Sequence, residues 1–380
     1  MKGLSLAFWY KNHQSPVVFM IDDLANIYFN RTQGDVWNSG DWGGMLGSEG
    51  SMYSFLKNEI LSIFPNVKFT FFLVAGKRQV QSFGSYDFVE DAGSKDFGNF
   101  LNLICSDGHE IAYHGNNHGV VDENGIFIQE WDSFDSLSEA CEQIDNGLGY
   151  IQESSDVTVR GGKYCGYKSG RFGHKSVKES GFIWWFDSWD NDVTTRPYGK
   201  EKDGVFYFPS NIDCSIYSWR NFQYFRNLKY YRSMIRQLIH GSLESNLSKL
   251  LSMRGIITLQ EHSSPKRTDG KIQYPNVFSD ICSIKYILSY LNKYSIWWAT
   301  ASEVYDYIEV RSNLKITITS SNSFKFTSST NKVEGKTVTL TVPDRTSSIY
   351  CGDIPNFPYE SGGAKCIDLQ VSLGAEYTVN

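Results

Sequence analysis

The run Val17-Val18-Phe19-Met20-Ile21-Asp22-Asp23 constrains this chain more than any other stretch. Its apolar residues read as a buried strand, stopped by two adjacent carboxylates. Side chains alternate across a strand, so two consecutive Asp cannot both face one interior while the strand stays regular. The pair is therefore expected at the strand's end. In sheets and barrels of parallel strands, the carboxyl end is where binding and catalytic groups collect. For an isolated Asp-Asp, a solvated acid pair or a helix N-cap is the commoner explanation, so the choice rests on residues further along the chain.

Strand candidates at 17–22, 67–75, 110–114, 157–160, 182–187, 205–208, 255–261 and 295–300 alternate with helix candidates at 49–63, 96–107, 133–153, 174–180, 227–252, 277–293 and 301–309. The helix over 133–153 is the clearest: Leu137, Ala140, Cys141, Ile144, Leu148 and Ile151 form one apolar stripe, and Ser136 with Glu139 makes a capping box. The alternation predicts an α/β fold, a (β/α) barrel of about seven or eight strands that is closed or nearly closed, with an open doubly wound sheet as the alternative. Past Arg311 the texture changes to short Thr/Ser/Lys/Val segments alternating at period two, such as Lys315-Ile316-Thr317-Ile318-Thr319 and Thr337-Val338-Thr339-Leu340-Thr341-Val342. These predict a small antiparallel β-sandwich. The expected division is a barrel over 1–311 and an accessory domain over 312–380, serving as a stabilising cap, an oligomerisation surface or a glycan-binding appendage.

Composition narrows the partners little. The net charge of −6 supplies no basic field for nucleic acid or an anionic membrane. No stretch is long enough to span a membrane. The seven cysteines are odd in number and lack CxxC spacing, which points to free thiols in a reducing compartment. The apolar run at the N-terminus is too short for a signal peptide, so a cytoplasmic location is expected. Aromatic residues make up 15% of the chain, enough for a carbohydrate-facing surface or simply for a generous core.

Four further features carry chemistry. Residues 26–48 form a long Gly/Trp/Asp loop directly after the two acids, in which Trp37 and Trp42 could stack on a sugar ring or pack an Ω-loop against itself. His114-Gly115-Asn116-Asn117-His118 comes after a short strand, and two His four apart can bind one metal. Gly, Asn and Asn between them predict a turn and exclude the helix-borne Glu base of the zincin proteases. A facial His-His-carboxylate set needs one more oxygen ligand, which the Asp22–Asp23 pair supplies, leaving the other acid free as a base. Arg160, before a Gly turn, is placed to hold a carboxylate. Trp184-Trp185-Phe186-Asp187-Ser188-Trp189-Asp190 ends another buried strand in acids and aromatics, and Ile256-Ile257-Thr258-Leu259-Gln260-Glu261-His262 ends in a histidine.

In this order the motifs resemble the polysaccharide deacetylases of the NodB-homology group, carbohydrate esterase family 4, over about residues 15–310. Thr70-Phe71-Phe72-Leu73-Val74 and the Glu110-Ile111-Ala112-Tyr113 approach to the histidines look like that family too. The resemblance implies a distorted (β/α) barrel with a divalent metal, zinc (Zn2+) being the usual ion, held by Asp23, His114 and His118. It implies Asp22 as general base oriented by Arg160, His262 as general acid, and Asp187 and Trp189 in a supporting motif; Tyr164 and Trp189 join Trp37 and Trp42 as substrate-facing aromatics. The expected activity is removal of acetyl groups from N-acetylated sugars of a glycan or its precursor. Departures from the pattern are Met20-Ile21-Asp22-Asp23-Leu24 where the family tends to Thr-Phe-Asp-Asp-Gly, Gly115 for Ser or Thr, Gly162 for Pro, and Gln260 for an apolar residue. None removes a reacting group. A non-haem iron oxygenase shares the two-His-one-carboxylate set, and a catalytically inactive barrel that binds glycan or protein is the alternative reading outside enzymology.

Overall fold

A computed structural model describes residues 3–27, 51–82, 85–215, 242–263 and 275–380, with the side chains of 78–89 set aside. The chain divides into two compact units. The larger takes Val17–Tyr290 and Trp298–Ser302. The strands along the main path of its large sheet are β1 (Ser15–Leu24), β2 (Phe69–Leu73), β3 (Glu110–Tyr113), β4 (Gly161–Lys163), β5 (Trp184–Phe186), β6 (Lys200–Lys202), β7 (Val205–Phe208), β8 (Ile212–Asp213) and β9 (Ile257–His262). They hydrogen-bond in the order β6-β7-β5-β4-β3-β2-β1-β9-β8. Every pairing is parallel except that of β6, which returns antiparallel on β7 at one edge.

Eight parallel strands therefore curl into a barrel-like sheet, as the alternating pattern predicts, and among the described residues nothing joins β8 to β6. Helices Lys95–Ser106, Leu137–Ser154, Gly173–Glu179, Leu243–Met253 and Ile281–Leu291 lie in the connections. Ser136 caps the second of these by accepting from the Glu139 amide at 3.1 Å. The Glu139 side chain returns to the Asp135 amide at 2.8 Å, one residue earlier than a standard capping box uses. No helix among the described residues is long and apolar enough to cross a membrane.

Two strand predictions need correction. The strand expected over 157–160 begins at Gly161, after an irregular approach. It escapes an apolar pattern because bulk is supplied from next door: a Cβ on Gly161 would sit 2.1 Å from the Trp184 ring, and one on Gly162 would sit 2.5 Å from the Trp185 ring. The Asp22–Asp23 strand does not stop at its acids either. It continues to Leu24, with a register shift between Ile21 and Leu24 and Asp23 at φ +67°.

The smaller unit gathers Met1–Pro16, Leu291–Trp297 and Glu303–Asn380, so it is wider than the tail from residue 312. One of its antiparallel sheets runs Ser5–Leu6, Thr337–Thr341, Ala364–Gln370, Tyr359–Ser361, the N-terminal strand pairing on Leu340 and Thr341. The other runs Leu314–Ile318, Ser323–Ser328, Glu376–Val379, Ile349–Cys351, Ile354–Asn356. Phe324, Phe326, Val338, Leu340, Ile367, Leu369 and Tyr377 from the two sheets share one core, the arrangement of a β-sandwich.

Candidate metal centre and acid–base site

The irregularity in β1 builds the site. A residue with φ near +67° is one of the few devices that turns consecutive side chains of a strand to the same side, and Asp tolerates it better than most residues. Asp22 and Asp23 are both buried in consequence. The Asp22 carbonyl is pinned by the Ser263 amide at 2.9 Å and the Ser263 hydroxyl at 2.8 Å, which ties the bulge to the end of β9.

Two histidines converge on Asp23. His118 Nε2 is 3.1 Å and His114 Nε2 3.6 Å from Asp23 Oδ1, an oxygen that is buried and receives no hydrogen bond among the described residues. His114 Nδ1 lies 2.9 Å from the Lys163 carbonyl oxygen, which can only accept, so Nδ1 carries the hydrogen and Nε2 presents its lone pair. Burial, reinforced by His118 and Lys163 against the pull of Asp22 and Asp23, lowers the His114 pKa to about 4, so this imidazole is neutral at neutral pH. Burial opposes ionisation of Asp23, but His118, His262 and His114 together hold its carboxyl well below the usual range. Imidazole nitrogens and a carboxylate oxygen are ligand types that a divalent cation takes. Asp23, His114 and His118 fit such an ion.

The turn carrying the histidines is shaped from a distance. Glu130, buried and unforeseen from sequence, accepts from the amides of Asn116 at 2.8 Å, Asn117 at 2.8 Å and His118 at 2.7 Å. Burial pushes its carboxyl up, and those three N–H groups pull it back. Gly115, at φ +89°, has no room for a side chain: a Cβ would stand 2.3 Å from Glu130 Oε2. That explains one departure from the family pattern.

Asp22 is held by a lysine and not by Arg160. Because β4 starts at Gly161, Lys163 is the residue at its carboxyl end, and its Nζ donates to Asp22 Oδ2 at 2.5 Å from a fully buried position. Gly162 registers with Tyr113, which leaves Arg160 toward the opposite end of the strands. There its charge acts on Glu110, whose carboxyl is raised by burial and drawn back in part by Arg160. Burial lowers the Lys163 pKa, Asp22 opposes this, and the Tyr167 ring lies 4.4 Å from the ammonium. Gln260 also donates to Asp22 Oδ2, at 3.4 Å, and accepts from the Tyr167 hydroxyl at 2.5 Å, so this second departure joins the same network. The remaining oxygen, Asp22 Oδ1, is buried with no hydrogen-bond partner among the described residues.

His262 closes the group. Its Nε2 is 3.6 Å from Asp22 Oδ2, and its Nδ1 donates to the Pro275 carbonyl at 2.8 Å. Asp187, directly after β5, accepts from Arg196 Nη1 at 2.7 Å, while Asp190 accepts from Arg196 Nε at 2.8 Å; no hydrogen bond or ion pair among the described residues joins Asp187 to Asp22 or the three histidines. Tyr164 is fully buried between Trp131 and Trp185, at ring distances of 5.2 and 5.3 Å, and cannot face substrate. Trp189 is partly exposed and its ring stands 6.1 Å from that of Tyr167. Trp37 and Trp42 lie outside the described residues. A second grouping appears beside the first: His114, His118 and Cys165 offer ligand atoms all within 4.8 Å of one another.

No protein-family model matches the chain, and no curated protein matches it. Family 4 deacetylases and esterases recur among similar solved structures. A Mycobacterium smegmatis protein assigned as a polysaccharide deacetylase is 16% identical, covers 81% of this chain and 94% of its own, and superposes with a TM-score of 0.49. A family 4 acetyl xylan esterase from Clostridium thermocellum, solved with a cobalt ion, is 12% identical over 77% of this chain and 90% of its own, at a TM-score of 0.37. The peptidoglycan deacetylase of Bacillus subtilis is 13% identical over 80% and 95%, at 0.36. All three scores lie below 0.5, and what the site does is read from its own side chains.

Proposed function

We propose that this chain is a divergent polysaccharide deacetylase, a metal-dependent hydrolase that releases acetate from an N-acetylated sugar. One observation carries the reading: two imidazole Nε2 atoms meet the orphaned Asp23 Oδ1, while the neighbouring Asp22 faces a separate histidine, His262. A divalent ion held by Asp23, His114 and His118 would supply acidity to a water and polarisation to an acyl carbonyl. Zinc suits this oxygen and nitrogen donor set.

The chain's own groups divide the proton work. Lys163 and Gln260 occupy Asp22 Oδ2, so Oδ1 is the oxygen left to accept a proton from the attacking water. His262, its ring fixed by the bond from Nδ1 to Pro275, holds Nε2 3.6 Å from Asp22 Oδ2 and would protonate the departing sugar nitrogen. A separate base and acid suit amide hydrolysis, in which the amine leaves only after protonation. Trp189 is the described aromatic that fits a sugar-facing role.

The test is acetate release from a panel of N-acetylated glycans before and after chelation, with His262→Ala as the companion variant. Chelator-sensitive release, lowered about 10²–10⁴-fold by His262→Ala, supports the assignment. Glycan affinity with no acetate from any substrate would favour a binding module instead.

A further inference from the structure

Cys165 stands against the same two histidines and has no part in the acid–base assignment above. It is fully buried at the turn after β4. Its Sγ is 3.0 Å from the His114 carbonyl oxygen, and within 4.8 Å of a ring nitrogen of both His114 and His118. The turn makes room for it: a Cβ on Gly115 would lie 3.0 Å from this sulfur. His118 stands at φ +62° with its amide donating to Glu130, and its Nδ1 is buried without a hydrogen-bond partner among the described residues.

We infer that Cys165 is a thiolate ligand of the metal in this chain, joining His114 and His118. The inference rests on the reading that this site holds a divalent ion. With zinc–sulfur near 2.3 Å and zinc–nitrogen near 2.0–2.1 Å, sulfur and nitrogen on one tetrahedral ion stand about 3.5 Å apart, so side-chain shifts of about 1 Å bring the three together. Binding exchanges the S–H proton for the metal and releases that proton to solvent. A soft sulfur donor beside two imidazoles favours zinc or cobalt over magnesium, calcium or manganese. Zinc can expand to five ligands, so a thiolate, Asp23 and a water are compatible on one ion.

The test uses the full chain stripped of metal and titrated with Co2+, recording the visible d–d bands and the near-ultraviolet region where a sulfur-to-cobalt charge-transfer band appears. Cys165→Ser is compared with Cys214→Ser, a buried thiol elsewhere, with circular dichroism confirming that each variant folds. X-ray absorption at the zinc edge of the unaltered protein gives the sulfur count without any substitution. The inference predicts a charge-transfer band that Cys214→Ser keeps and Cys165→Ser loses, one zinc–sulfur distance near 2.3 Å, and zinc held at least about 10-fold more weakly by Cys165→Ser. Cobalt d–d bands without charge transfer, a band surviving in Cys165→Ser, or a shell of nitrogen and oxygen alone would overturn it while leaving the metal site intact. No uptake of cobalt or zinc would overturn the metal reading together with it.

Discussion

Among single residues, Asp22 and Asp23 take different work from neighbouring positions. Asp23 has an oxygen without a donor and two imidazoles turned to it; Asp22 has one oxygen occupied and one open. Asp22→Asn should therefore lower kcat by about 10²–10⁴-fold with metal content unchanged. His114→Ala should lose the metal itself, read by elemental analysis. Lys163→Met leaves a buried carboxylate without its cation, a loss expected to cost about 3–5 kcal/mol; an unmoved urea midpoint would show that Lys163 is dispensable. Sequence alone makes Asp22, Asp23, His114, His118 and His262 legible as candidates, since each ends or closely succeeds an apolar run, and the structure brings these five side chains together. It misleads at Arg160, because the eye takes the strongest cation near a strand end, and the strand turns out to end three residues later. Glu130 and Gln260 leave no local signal, as their partners are distant in the chain.

Among the elements, the histidine-bearing turn is a backbone device. Glu130 gathers three successive amides into one carboxylate, and Gly115 passes through a conformation that other residues avoid. Gly115→Ala should strain the turn by about 1–3 kcal/mol, and the Cβ contact with Glu130 should add to this. The expected readout is weaker zinc binding in chelator competition, alongside a lowered melting temperature; unchanged affinity would mean that the turn does not shape the site. Long apolar strands such as β1 and β9 are plain in the sequence. The short β4, written Gly161-Gly162-Lys163, is not, because two tryptophans of β5 fill the space its own side chains leave. The bulge within β1 is likewise hidden: only its consequence, two adjacent acids, appears in the sequence.

Across the full length of the chain, alternation of strand and helix patterns forecasts the parallel sheet, and period-two texture forecasts the sandwich. What the pattern cannot convey is that Ser5–Leu6 joins the sandwich, since pairing with Thr341 and Leu340 spans most of the chain length. Acid stability depends on another distant contact. His109 accepts from the Phe69 amide at 3.3 Å, and burial lowers its pKa to about 4, below the roughly 6.5 of an unfolded chain. Between those values the unfolded state binds the proton first, so this contribution is complete above about pH 6.5 and is lost progressively down to about 4, on the order of 3 kcal/mol in all. Replacing His109 with Phe should flatten stability against pH in that window, measured by urea melts. A metal-dependent deacetylase is tested most directly by the metal content of the purified chain, measured alongside acetate release from N-acetylated glycans before and after chelation. The expected result is about one zinc-like ion per chain and acetate release that chelation abolishes and metal restores. A chain that takes up no metal under any loading condition, or releases acetate undiminished without it, would contradict that assignment.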